Sequence, residues 1–461
     1  MKRPLRATAL IVAVSALSAM AQDPQERRRF LEPETPVSDD PRRVPVSEPE
    51  EDGRVLVLRG GNVFDGTGAP LRAATIVTRG KTIDRLESPD VTSWPEDAEV
   101  IDIDGKTVLP GLVDLHTHLT YYDPDSSPER GRSVADATLR ASERLRYYIE
   151  SGITSIRDVA SAGDIPFVLK QWVAENRVVG PRIFAAGQLI TATGGHGAEG
   201  QGNILVETGS VMTASGPDEW REAVRKQFDR GADLIKLASH YSREEIAAAI
   251  EEAHALGLKV TVDAETFYVQ WAVEAGADSI EHPLPRTEET VRMMAETGTA
   301  SVPTLIPYIY IIDASGGYFG STSRRFTMTK DSNLAMLRTL REAGVKLGVG
   351  TDLVVDWYRY LPHPYITELK QLEAAGYTPS EALVAATKTS AEILDMAHRL
   401  GTIEPGKLAD LVVIDGRPDR NLEDLEKVDL VIRDGHVIVR EGRIWVPRHV
   451  PESPERPTEM R

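Results

Sequence analysis

The chain of 461 residues contains no cysteine. That removes thiolate nucleophiles, cysteine-ligated zinc and disulfides from consideration. Its stability must come from a packed core and from any metal it binds. Cations are in short supply too: 53 Lys and Arg stand against 71 Asp and Glu, a net charge of −18 at pH 7. Such an acidic balance excludes a general nucleic-acid surface, and is otherwise a statement about solubility. The apolar stretch from Ala7 to Met20 is too short to span a bilayer. The rival α/β architecture is an open doubly wound sheet.

What is present begins with a leader. The basic start Met1-Lys-Arg-Pro-Leu-Arg6, the short apolar stretch and the small-x-small site Ala19-Met-Ala21 read as a secretory signal peptide over residues 1–21. The expected mature start is Gln22, exported to the periplasm or the medium; an uncleaved anchor is the alternative. Residues 22–53 are rich in Pro, Arg and acid and read as a flexible tether, and 448–461 as a disordered tail.

Short strand-and-turn patterns occupy both ends of the body. Val55-Leu-Val-Leu58 and Ala74-Thr-Ile-Val77 stand near one end, Ala409-Asp-Leu-Val-Val-Ile414 and Val428-Asp-Leu-Val-Ile432 near the other. They predict one small composite β-sandwich domain from residues 54–110 and 400–447. Over residues 111–399, strand-like runs alternate with helical ones such as Arg243 to Ala255, whose Glu244, Glu245, Glu251 and Glu252 are expected to face outward. Eight such units predict an α/β fold of the (β/α)8 TIM-barrel type, with its site at the C-terminal strand ends.

The most informative stretch is Val108-Leu-Pro-Gly-Leu-Val-Asp-Leu-His-Thr-His118-Leu. Alternation along a strand puts Asp114, His116 and His118 on one face at its end. Two imidazoles on one edge can serve as metal ligands, and a pair of surface histidines is the plain alternative. Other polar residues end later strands: Lys236, Asp263, His282 and Asp352. Singly, each has a structural reading, as a snorkelling lysine, a capped loop histidine or a helix cap. Their recurrence at the same end of successive strands argues for one shared site.

Together, Pro110-Gly-Leu-Val-Asp-x-His-x-His118, Gly231-Ala-Asp-Leu-Ile-Lys236, Ser279-Ile-Glu-His282, Gly348-Val-Gly-Thr-Asp352 and Gly401-Thr-Ile-Glu-Pro-Gly-Lys-Leu-Ala-Asp-Leu-Val-Val413 resemble the metal-dependent amidohydrolase superfamily. Within it, Thr193-Gly-Gly-His-Gly197, Tyr241-Ser-x-x-Glu245 and Val302-Pro-Thr-Leu305 are similar to the prolidase-like and imidazolonepropionase-related branch. The resemblance covers about residues 54 to 447. It implies one or two divalent metal ions, zinc first and manganese as the alternative. His116 and His118 would hold one metal, a carbamylated Lys236 would bridge two, and His282 would hold the second. Asp352 would be a ligand, the catalytic base, or both. His196 and Tyr241 would face the substrate, a turn histidine and a packed tyrosine being the plain alternatives. His240 and His363 are weaker substrate-contact candidates, and Trp357, Tyr358 and Tyr360 could wall a pocket.

One position departs from the family pattern. Asp263 stands where strand five usually carries histidine, and Glu265 is the alternative ligand two residues on. A carboxylate there suits harder metals and lowers the net positive charge of the centre. The expected activity is hydrolysis of a C–N bond in an amide, dipeptide or cyclic amide by a metal-activated water. The rivals are a degenerate barrel that binds small ligands without turnover, and a deaminase or lactonase on the same scaffold. The expected partner is a small-molecule amide or peptide, with no nucleic acid and no membrane once the leader is removed. Self-association into a homo-oligomer stays open.

Overall fold

A computed structural model of the chain describes residues 53–121, 133–200, 203–317 and 326–445. The leader, the tether up to residue 52 and the tail lie outside the described residues. In chain order, the first strands are β1 (Val55–Val63), β2 (Arg72–Arg79), β3 (Thr82–Glu87), β4 (Glu99–Asp102) and β5 (Thr107–Pro110). Next come β6 (Leu112–Thr117), β7 (Ile153–Asp158), β8 (Arg182–Ala185), β9 (Leu189–Ala192) and β10 (Val211–Ala214). Then follow β11 (Leu234–Ala238), β12 (Lys259–Asp263), β13 (Ser279–Glu281) and β14 (Ala300–Val302). The last are β15 (Leu411–Ile414), β16 (Val428–Arg433), β17 (His436–Arg440) and β18 (Arg443–Ile444).

Both chain ends build one sheet. Its order is β18-β17-β16-β15-β5-β1-β2-β3, with β4 also pairing β1. With β4 the strands number nine in one continuous hydrogen-bond network. Alternation explains how both of its faces are covered. Leu411 and Val413 join Leu56, Leu58, Ile76, Val108, Leu430 and Ile432 in one apolar cluster. Val412 and Ile414, pointing the other way, join the main core.

At Gly111 the chain leaves this sheet for a second one. A Cβ on Gly111 would lie 1.9 Å from Thr154 Oγ1, so only glycine permits the close crossing between β5 and β6. The run Val108–Leu119 thus holds two strands in two sheets. β6, β7 and β8 form a parallel sheet of three, and β10-β9-β11-β12-β13-β14 a parallel sheet of six. β6, β7 and β11 are buried along their whole length, as parallel strands covered on both faces must be. The pair β9–β10 has no counterpart in the sequence-based expectation.

Residues 347–352 form no ladder of their own, yet they bond on both sides. Gly348 donates its N–H to Ser301 O at 3.0 Å, Leu115 to Val349 O at 2.8 Å, and Asp352 to His116 O at 2.8 Å. The helix Arg243–Ala255 has the predicted limits, set by a capping box between Ser242 and Glu245, which contributes roughly 1 kcal/mol. One of its outward assignments is corrected: Glu252 is buried and pairs with Arg225 at 2.7 Å. Among the described residues no helix is long and apolar enough to cross a membrane.

Candidate metal centre

The end of β6 and the segment 347–352 lie side by side, and their backbones bring three ligand types together. His116 Nε2 and His118 Nε2 are 3.2 Å apart. Asp352 Oδ1 is 3.6 Å from the first and 3.2 Å from the second. Among the described residues this is the group of three whose ligand atoms all lie within 4.8 Å of one another. Donors held about 2.0–2.2 Å from a tetrahedral ion lie about 3.3–3.6 Å apart. The triangle already has that size.

The other ring nitrogens decide what the triangle contains. His118 Nδ1 donates to Ala160 O at 3.1 Å, and a carbonyl can only accept. His116 Nδ1 donates to Glu281 Oε2 at 2.6 Å. Burial opposes ionisation of Glu281, but Arg157, Lys236 and His116 outweigh it and hold its carboxyl well below the usual range. Burial, with the charge of Lys236, pushes His116 down to about 3, so its ring is neutral at pH 7. Both Nδ1 atoms thus carry the proton, and both Nε2 lone pairs point at each other and at Asp352. Three electron-rich atoms facing one another fit a bound cation.

Asp114 is not a fourth ligand. Its carboxylate accepts the Thr351 N–H at 3.0 Å, the Thr351 hydroxyl at 2.5 Å and the His116 N–H at 3.1 Å. It ties the strand that carries the histidines to the residue before Asp352. Burial pushes it up to about 7, against the Thr351 hydroxyl and the Thr351 and His116 amides. Asp352 itself has φ +48°, a left-handed conformation uncommon outside glycine and held by these contacts.

The second half of the site is assembled from β11, β12, the end of β13 and a loop. Lys236 Nζ is buried and has no hydrogen-bond partner. Burial lowers its pKa, against the pull of Glu281 and Asp263, which favours the neutral amine that carbamylation requires. His282 Nε2 is 2.9 Å from Asp263 Oδ2, and its Nδ1 is 2.6 Å from Thr304 Oγ1 and 3.8 Å from Asp352 Oδ2. His196 Nε2 is 3.3 Å from the same Asp263 oxygen. Glu265, the alternative ligand, is buried and accepts from the Ser239 hydroxyl at 3.0 Å.

The remaining candidates are placed as follows. Tyr241 is buried with its ring against Trp220 and Tyr268, and its hydroxyl donates to Tyr268 O at 2.8 Å. His240 stacks obliquely on Tyr268, and His363 pairs with Glu426 at 3.6 Å. Trp357 packs edge-on against Tyr310. Tyr358 is buried beneath Arg144, and both donate to His118 O, at 2.7 Å and 3.1 Å. Sequence reasoning missed Glu281, Arg144 and Tyr121, whose ring stacks on His118 at 4.0 Å. Glu281 was visible as the neighbour of His282, but no spacing rule connects it to a histidine 165 positions away.

The model of the amidohydrolase family matches residues 107–438. The chain is 26% identical to an ochratoxinase from Aspergillus niger over 423 residues, 84% of this chain and 85% of the relative. It is 27% identical to an imidazolonepropionase from Geobacillus sp. over 392 residues, 76% of this chain and 84% of the relative. Among solved structures, a prolidase complexed with N-methylphosphonate-L-proline superposes with a TM-score of 0.75 at 29% identity, covering 84% of this chain and 100% of that one.

Proposed function

Because the chain belongs to the amidohydrolase family, we propose that it is an exported, metal-dependent hydrolase of C–N bonds in small amides, dipeptides or cyclic amides. The observation that carries this reading is the triangle of His116, His118 and Asp352, with edges of 3.2, 3.2 and 3.6 Å. The names of the similar proteins support the substrate class: an ochratoxinase, an imidazolonepropionase and a prolidase. We assign β6, β7, β8, β11, β12, β13, β14 and residues 347–352 to the eight strands of a (β/α)8 barrel. The bonds of residues 347–352 to both β6 and β14 support that closure. Residues 54–110 and 400–445 then form the appended β domain. The leader at residues 1–21 supports a periplasmic or secreted location.

In this reading His116, His118 and Asp352 hold a divalent ion, zinc by the nitrogen-rich donor set, and a carbamylated Lys236 with His282 and Asp263 offers a second position. When bound, such ions acidify a water and polarise an amide carbonyl. The chain's own residues do the rest. Glu281 and the Ala160 carbonyl fix the two imidazoles so that each Nε2 faces inward. Asp352 turns one oxygen to His118 and the other to His282, so it is placed to take a proton from water. It then returns that proton to the leaving nitrogen.

The test is metal content and turnover together. Protein starting at Gln22 is assayed with Xaa-Pro dipeptides, N-acyl amino acids and cyclic amides before and after chelation. Activity should vanish with the metal and return with added zinc. Calorimetric binding of these compounds without turnover by metal-loaded protein would sink the enzyme reading, leaving a barrel that only binds. Ammonia from ring amines, without amide cleavage, would move the chemistry to deamination.

A further inference from the structure

Behind the imidazole of His116 lies a buried cation, the guanidinium of Arg157 on β7. We propose that Arg157 is a positioning residue for the metal centre, aiming His116 by holding both the backbone beside it and the carboxylate behind its ring. The inference rests on the hydrolase reading above and concerns only how the His116, His118 and Asp352 triangle is kept in shape.

The contacts form a closed circuit. Arg157 Nε donates to Leu115 O at 2.6 Å, on the residue that precedes His116 in β6. Its Nη2 donates to Glu281 Oε1 at 2.7 Å, and Glu281 Oε2 accepts from His116 Nδ1 at 2.6 Å. One planar group thus fixes His116 from two directions, at the main chain and at the ring. The third arm, Nη1, donates to Ser279 Oγ at 3.2 Å. A guanidinium can only donate, so the Ser279 hydroxyl turns its own proton elsewhere, to Thr261 Oγ1 at 2.8 Å. The Thr261 hydroxyl in turn donates to Glu281 Oε1. Both bonds to Oε1 trace back to Arg157, and Oε2 is left for the imidazole.

Stability alone does not account for this arrangement. Arg157, Glu281 and His116 are all buried, and a buried ion pair gains little over apolar side chains of the same volume. A lysine would bring the charge, but not three donor positions held in one plane. What the fork adds is direction. The Nε2 atoms of His116 and His118 lie 3.2 Å apart, a spacing that any turn of the His116 ring would change. Partners behind a ligand histidine set its ring orientation, and here the partner is itself oriented. The side-chain bonds of Arg157 go to Leu115, Ser279 and Glu281 and not to the three ligands, so it acts through them.

The experiment is a double-mutant cycle on zinc affinity at one equivalent per chain, read by chelator competition, with denaturant unfolding as the separate measure of stability. Arg157→Met and Glu281→Gln should each weaken zinc binding by about 10- to 100-fold. Arg157→Met/Glu281→Gln should lose no more than the worse single variant, because both residues act along one path. Losses that multiply in the double variant would overturn the proposal. So would wild-type zinc affinity in folded Arg157→Met, which would leave Arg157 a structural ion pair and the hydrolase reading intact. Arg157→Met alone strands the Glu281 carboxylate and could fail to fold; the double variant, which removes both charges, is then compared with Glu281→Gln. Equal affinity supports the proposal, and a further loss of about 10-fold or more overturns it. No zinc bound by wild type would overturn the hydrolase reading as well.

Discussion

At His116 the chemistry depends on which ring nitrogen keeps its proton, and Glu281 makes that choice. Its carboxylate also takes bonds from Arg157 at 2.7 Å and from the Thr261 hydroxyl. It is therefore held in place as well as charged. His116→Ala should abolish metal binding and amide hydrolysis together; full activity in that variant would mean the centre lies elsewhere. Glu281→Gln keeps the shape but loses the charge. It should weaken metal affinity or activity by about 10- to 100-fold, read by chelator competition. Asp263 and His196 meet in the same way, through one oxygen, across residues that no sequence pattern pairs.

Between elements, close approach and helix capping set the ligand positions. Segment 347–352 runs so near β6 that a Cβ on Gly350 would lie 2.8 Å from His116 Cβ and 2.6 Å from Val302 Cγ1. Gly350→Ala should cost about 1–3 kcal/mol of stability, as overpacking does. It should also weaken metal binding, because His116 is one of the two groups pressed; denaturant titration and metal competition read the two effects separately. Thr304 precedes the helix Leu305–Ser315 but does not cap it, since its hydroxyl meets His282. The cap comes from Glu368, on the helix His363–Ala374, which accepts the Leu305 N–H at 2.7 Å and the Ile306 N–H at 3.2 Å. Burial raises Glu368 from 4.5 to about 8, against those amides and with the help of Asp114. The folded chain therefore keeps a proton that the unfolded chain releases. This contribution is full below pH 4.5 and is lost as pH rises to about 8, with a slope of at most about 1.4 kcal/mol per pH unit. Glu368→Gln should remove that slope from the stability–pH curve, and an unchanged curve would refute the assignment.

For the whole molecule, the nine-stranded sheet makes the two chain ends depend on each other. β15 pairs with β5, which leads directly into the strand of His116 and His118. Arg433 reaches from β16 to Gly180 O and Asn176 Oδ1, both at 2.6 Å. Removing everything after residue 410 strips β5 of one of its two neighbours and opens the cluster around Val108, Leu411 and Val413. Such a truncation should yield insoluble protein or protein without a cooperative transition; a soluble, metal-binding fragment would show the appended strands to be dispensable.

Local chemistry is what the sequence by itself determined. Strand periodicity located most of the parallel strands, and residue type at their ends picked out His116, His118, Lys236, Asp263, His282 and Asp352. These were legible because a strand's two faces and its C-terminal end follow from a few neighbouring residues. The steric cause of the break at Gly111 was not legible, since it depends on Thr154 lying 1.9 Å from an absent Cβ. Nor were Glu281 behind His116, Asp114 behind Thr351, or His196 against Asp263, each a contact between residues distant in the chain. Tertiary structure alone decided which nitrogen faces the metal, because that depends on a partner brought in from another strand.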